Sequence, residues 1–268
     1  MTGPARMPQP LLSLRQVTKR FGAVEALVGF DLELKAHEVV ALVGDNGAGK
    51  STAAKLVAGV LQPDAGFIEI DGEPVTIPSP AAAHGLGVAT VFQHLALCDN
   101  LSVTANIFLG RELRVRPGGP LDEERMVLTA QSILRDLTAG IPSVRAQVRT
   151  LSAGQRQAVA IARTLTSRPR IVVLDEPTAA LSVVQTAEVL MLIERLREMG
   201  LGVILISHNM TDVRAVADRI VVLRHGRING EFDAGTASHE EILASITGLS
   251  TAAGPSTSFT LPTAGRSS

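Results

Sequence analysis

The chain has 268 residues, 46% of them hydrophobic, with a formal net charge of −1 and a single cysteine, Cys98. So even a charge balance argues against a surface built to hold nucleic acid, which takes a strongly basic face. One cysteine permits no internal disulfide and fits a reducing compartment.

Residues 1–10, with Pro4, Pro8 and Pro10, lack the apolar core of a signal peptide and read as a flexible start. Next come Leu11–Arg20 and Phe30–Lys35, where apolar and polar positions alternate, as they do again in Phe67–Asp71. These three segments predict a small antiparallel layer. Val39–Val43 is different, a short unbroken apolar run, and Gly87–Phe92, Ile171–Asp175, Val203–Ser207 and Ile220–Arg224 repeat its character. Runs of this kind suit strands buried on both faces of a largely parallel sheet. Ser51–Val60, Val183–Met199 and Met210–Ala217 carry apolar residues at helical spacing between them, the alternation of an α/β domain.

Pro74 to Cys98 contains no Asp, Glu, Lys or Arg, yet Pro78, Pro80, Gly85, Gly87 and Gln93 break it up. A membrane helix needs about 20 predominantly apolar residues in one run, so no span is expected. From about 101 to 167 the strand signal disappears while Glu123–Thr138 and Gly154–Thr166 look helical, predicting a helical insertion. Residues 11–249 are expected to form one domain. The Ser-, Thr-, Ala-, Gly- and Pro-rich residues 250–268 read as a disordered tail.

The strongest local signal is Gly44-Asp45-Asn46-Gly47-Ala48-Gly49-Lys50-Ser51, a full G-x-x-x-x-G-K-S match between a predicted strand and a predicted helix. Its glycines let backbone N–H groups close around phosphate oxygens, and the helix N-terminus adds positive potential. Lys50 is placed to reach the β- and γ-phosphates of a nucleoside triphosphate, and the Ser51 hydroxyl to ligate Mg²⁺. Thr52 completes the phosphate-binding set. The motif leaves ATPases, GTPases and small-molecule kinases open, although no guanine-reading N-K-x-D sequence occurs.

Ile171-Val172-Val173-Leu174-Asp175-Glu176-Pro177 is an apolar strand ending in two carboxylates. Neighbouring strand residues face opposite sides, so the two acids can do different work. Asp175 is expected to orient Mg²⁺ and Glu176 to polarise the attacking water. Ahead of this strand, Leu151-Ser152-Ala153-Gly154-Gln155 opens a helix with Ser152 as a good N-cap, which makes a second potential anion site. One nucleotide needs one cradle, so the second suggests a nucleotide held by another copy.

Taken together, the order of these motifs across roughly 11–248 resembles the ABC ATPase family. Leu151–Gln155 is similar to its L-S-G-G-Q signature with alanine third. The resemblance implies that Gln93 senses Mg²⁺ and the attacking water, that His208 contacts the γ-phosphate, and that Phe21, in Lys19-Arg20-Phe21-Gly22, stacks on adenine. It also implies that Ser152, Ala153, Gly154 and Gln155 close over ATP held by a second copy. One departure is Ser182, where the family's D-loop carries aspartate. Glu176–Thr186, Leu101–Val103 with Ile107–Glu112, and Ile206–Met210 are similar to the branch serving ribose-, xylose- and fructose-type sugar importers.

The fold so implied is an α/β P-loop NTPase with a RecA-like core, an N-terminal antiparallel β layer and a helical subdomain near 101–167. The implied function is ATP hydrolysis in a cassette dimer, with ATP and Mg²⁺, driving sugar uptake through separate integral membrane permease subunits. A solute-binding protein would act indirectly, and the chain would lie peripherally on the cytoplasmic face of the membrane. Two rival readings within the family are an exporter or lipid or amino-acid transport cassette, and a soluble non-transport ABC ATPase.

Overall fold

The computed structural model describes residues 9–249. Residues 1–8 and the expected tail at 250–268 lie outside the described residues. In chain order, β1 (Leu12–Phe21) and β2 (Val24–Leu34) form a hairpin, and β3 (Val39–Gly44) leads through the phosphate loop into α1 (Lys50–Val57). Next come β4 (Ala65–Ile70), β5 (Glu73–Val75), α2 (Pro80–Gly85) and β6 (Val88–Val91). Three helices follow without an intervening strand: α3 (Val103–Ile107), α4 (Glu123–Asp136) and α5 (Ala153–Leu165). The chain then alternates through β7 (Ile171–Asp175), α6 (Val183–Glu198), β8 (Gly202–Ile206), α7 (Met210–Val216), β9 (Arg219–Arg224), β10 (Arg227–Asp233) and α8 (His239–Thr247).

Two sheets result. The four-stranded one, ordered β2-β1-β4-β5, is antiparallel, with Leu12 opposite both Leu34 and Ile70. The six-stranded one is ordered β10-β9-β3-β8-β7-β6 and is parallel except for β10 at its edge. Every residue of β3, β7 and β8 is buried, because both faces of this sheet are covered. On one face Val40, Leu42, Ile204 and Val221 pack with Leu14, Phe30 and Leu32 of the antiparallel layer and with α1. On the other, Val172, Leu174, Val203 and Leu205 share a core with Ile107 of α3, Met126 and Leu134 of α4, and Val159 and Ile161 of α5. The residues between β6 and β7 therefore bury their apolar surface on the sheet itself.

Several elements were not expected from the sequence. β2 begins at Val24 rather than Phe30, because the strand pair is bulged near its middle. There Gln16 and Gly29 take φ of 50° and 57°, which breaks the alternation a strand is read from. β10 buries no residue fully, and its apolar side chains Ile228 and Phe232 are only partly covered. α8 is marked by a Ser238/Glu241 capping box, and Ile242 is its buried anchor.

Candidate functional site

Strand order alone brings the motifs together. β3, β8, β7 and β6 are adjacent and parallel, so the segments leaving their C-terminal ends emerge at one edge of the sheet. Those segments carry the Lys50 loop, His208, the Asp175–Glu176 pair and Gln93 respectively. Asn46, Gly47, Gly49, Lys50, Ser51, Thr52, Gln93, Asp175, Glu176 and His208 line one cavity of about 320 Å³ there. Ala26 of β2 and Ile206 at the end of β8 line it too, and neither was singled out from the sequence, since a lone apolar residue carries no chemical signature.

Within the loop the glycines have two different jobs. A Cβ on Gly44 would lie 2.1 Å from the Leu223 carbonyl oxygen, and one on Gly49 would lie 2.5 Å from that of Ala26. Both glycines thus let the loop pack against β9 and β2. Gly47 meets nothing within 4 Å and is needed for its φ of 80°. Gly44, Asp45 and Ala48 shape the loop without lining the cavity: Asp45 accepts from the Ala48 N–H at 3.1 Å, and Ala48 accepts from the Gly226 N–H at 3.0 Å. At the start of α1 Gly49 supplies no capping side chain and the first turn holds no acid, leaving the helix terminus free to attract an anion.

Lys50 is 8% exposed and donates to the Gly44 and Asp45 carbonyls at 2.7 and 2.9 Å. Burial pulls its pKa down, against the pull of Glu176, Asp45 and Asp175. Asp175, 9% exposed at the end of β7, has its pKa raised, first by burial and then by Glu176. The site therefore holds charges it solvates poorly, a condition that favours a charged ligand.

The two acids do not face opposite sides, contrary to the reading from strand alternation. β7 ends at Asp175, and Glu176 turns into the left-handed region at φ 51°, so both line the same cavity. Its N–H still donates to the Ile206 carbonyl at 2.9 Å, which holds the turn in place. His208 Nδ1 lies 2.8 Å from Glu176 Oε2. A carboxylate oxygen can only accept, so Nδ1 carries the proton and Nε2 is the nitrogen left for a ligand.

Phe21 stands at the end of β1, 48% exposed, and is not among the residues lining this cavity. Nor are Ser152, Ala153, Gly154 and Gln155. Ser152 caps α5 by accepting from the Gln155 N–H at 3.1 Å, while Gln155 Oε1 accepts from the Ser152 N–H and its Nε2 donates to Gly140. Gln155 is thus committed to holding the loop. Gly154 and Gln155 face a separate cavity of about 230 Å³, and a Cβ on Gly154 would lie 2.9 Å from Glu188 Oε2. Ser182 makes another capping box, with Gln185, at the head of α6.

A model of the ABC transporter family matches residues 27–179. The chain is 45% identical over 218 residues to a xylose/arabinose import ATP-binding protein of Sulfolobus acidocaldarius, covering 81% of this chain and 86% of that one. It is 42% identical over 242 residues to a ribose import ATP-binding protein of Rubrobacter xylanophilus, covering 90% of this chain but only 48% of the relative, about half its length. A nucleotide-free ATP-binding cassette from an ABC transporter superposes with a TM-score of 0.76 at 26% identity, covering 89% of this chain and 95% of that one. A dimeric cassette in a post-hydrolysis state bound to ADP and Pi gives a TM-score of 0.68 at 27% identity, covering 83% and 98%.

Proposed function

We propose, for a chain that belongs to the ABC transporter ATPase family, that it hydrolyses ATP to power a sugar importer. The observation that carries this is the single cavity that collects Lys50, Ser51, Gln93, Asp175, Glu176 and His208 from four adjacent strands. Lys50 and the α1 N-terminus would neutralise the triphosphate, and Glu176 would accept a proton from the attacking water with His208 holding its carboxylate. Mg²⁺ fits the donors present: Ser51, Gln93 and Asp175 offer a hydroxyl, an amide and one carboxylate, all hard oxygen ligands. Among the described residues no group of three or more His, Cys, Asp or Glu could hold a metal alone, which suits an ion shared with substrate phosphates. Bound Mg²⁺ would neutralise charge developing on the γ-phosphate.

The Ser152–Gln155 loop lies outside that cavity, which supports a second copy as the source of the missing wall. No helix among the described residues is long and apolar enough to cross a membrane. The likeness to import ATP-binding proteins supports separate permease subunits as the path for solute, with this chain on their cytoplasmic face and a solute-binding protein delivering cargo from the far side. A pentose or hexose is the favoured cargo, given what the similar import proteins are named for.

Two measurements test the reading. Lys50→Ala should lose most ATP affinity, and Glu176→Gln should keep binding while turnover falls by about 10²- to 10⁴-fold. Undiminished hydrolysis in Glu176→Gln would remove the proposed base. Disrupting the gene should abolish uptake of at least one labelled pentose or hexose, and unchanged uptake of all of them would refute sugar import.

A further inference from the structure

The stretch of β1 leading to Phe21 is held by Asp64, a residue that none of the motifs includes. Asp64, between α1 and β4, accepts from Lys19 Nζ at 2.9 Å with one carboxylate oxygen and from the Arg20 N–H at 2.7 Å with the other. Its own N–H donates to the Thr18 carbonyl at 2.8 Å. One residue thus grips three successive positions of β1 immediately before the aromatic ring, in a stretch where bulges loosen the pairing with β2. The Lys19 ammonium, anchored by that carboxylate, sits 5.8 Å from the centroid of the Phe21 ring, within range of a cation–π contact. The hydrogen bond from Lys19, with that from the Arg20 N–H, holds the Asp64 carboxyl below its ordinary range.

We infer that Asp64 is a positioning residue for the nucleobase, fixing Lys19 against one face of Phe21 so that the ring offers its other face to adenine. The inference rests on the reading that Phe21 stacks the base. An aromatic side chain that is half exposed and free to rotate would lose entropy on stacking; one already flanked by an anchored side chain loses less. The phosphates are held elsewhere, by the loop after β3, so base and phosphate affinity are separable.

The test compares full-length protein binding ATP and inorganic tripolyphosphate in the same Mg²⁺ buffer. Asp64→Asn keeps an acceptor for Arg20 and removes the anion that anchors Lys19. It should weaken ATP binding about three- to tenfold, the scale of one aromatic contact, and leave tripolyphosphate unchanged. Lys19→Met should show the same selective loss, and Asp64→Asn placed in a Phe21→Ala background should add nothing further. Equal weakening of both ligands, or of neither, would overturn the clamp. If Phe21→Ala itself leaves the ATP-to-tripolyphosphate ratio unchanged, the stacking reading fails first and takes the clamp with it. If Phe21→Ala shifts that ratio while Asp64→Asn does not, the clamp alone fails.

Discussion

Asp175 shows how a single residue of the site trades stability for a ligand. Its carboxyl is raised above the ordinary value of 3.8 because burial and Glu176 both disfavour its charge. A carboxyl whose folded-state pKa exceeds its unfolded value holds its proton more tightly in the folded chain. The group therefore costs stability at neutral pH, and that cost is relieved as the pH falls through the raised value toward 3.8. Asp175→Asn should raise the melting temperature of the nucleotide-free protein at pH 7 by about 2–4 °C, the shift of roughly 1 kcal/mol in a domain of this size. Its advantage over the native chain should shrink as the pH is lowered. A lower melting temperature for Asp175→Asn at pH 7 would contradict the account. This residue's place beside the phosphate loop was legible in the sequence, since the acid closes an apolar strand of the same parallel sheet. The left-handed turn at Glu176 was not, because strand alternation predicts directions only as far as the strand persists.

At the scale of elements, Arg163 ties α5 to the segment after β6. Its guanidinium donates to the Ala96 and Leu95 carbonyls at 2.8 and 2.6 Å, and burial lowers its pKa without threatening its charge. Ala96 takes φ 48°, so the segment bends sharply where it is gripped. A few residues on, Asn106 of α3 accepts from the Cys98 N–H at 2.7 Å and donates to the Cys98 and Ser102 carbonyls at 3.0 Å. Arg163→Met keeps the aliphatic stem and deletes both charged bonds, which should cost about 1–3 kcal/mol. Amide exchange should quicken in 93–100 and stay slow in β3 and β7. Uniform acceleration across the sheet would mean that Arg163 supports the core and not this link. The helices at 123–136 and 153–165 were readable from spacing and capping residues, whereas β10 and the first half of β2 were hidden. In β10 the apolar Ile228 and Phe232 are only partly buried, and in β2 the bulge at Gly29 breaks the alternation.

For the whole molecule the decisive fact is that its two glycine-containing loops face different cavities. Two copies related by a twofold axis would let each Ser152–Gln155 loop close the other's site through an isologous interface. With hydrolysis blocked by Glu176→Gln, Mg-ATP should convert the protein from 28.1 kDa to twice that mass. A particle that stays at the single mass with ATP bound, permease subunits included, would rule the shared site out. The separation of the loops also has a genetic reading. An allele altered only at Gly154 would make a chain whose own Lys50 pocket is intact, yet in the proposed shared-site pair it would spoil the site on its wild-type companion. Such an allele should be partly dominant in a cell carrying both copies, with the loss of uptake growing with the dose of the defective gene.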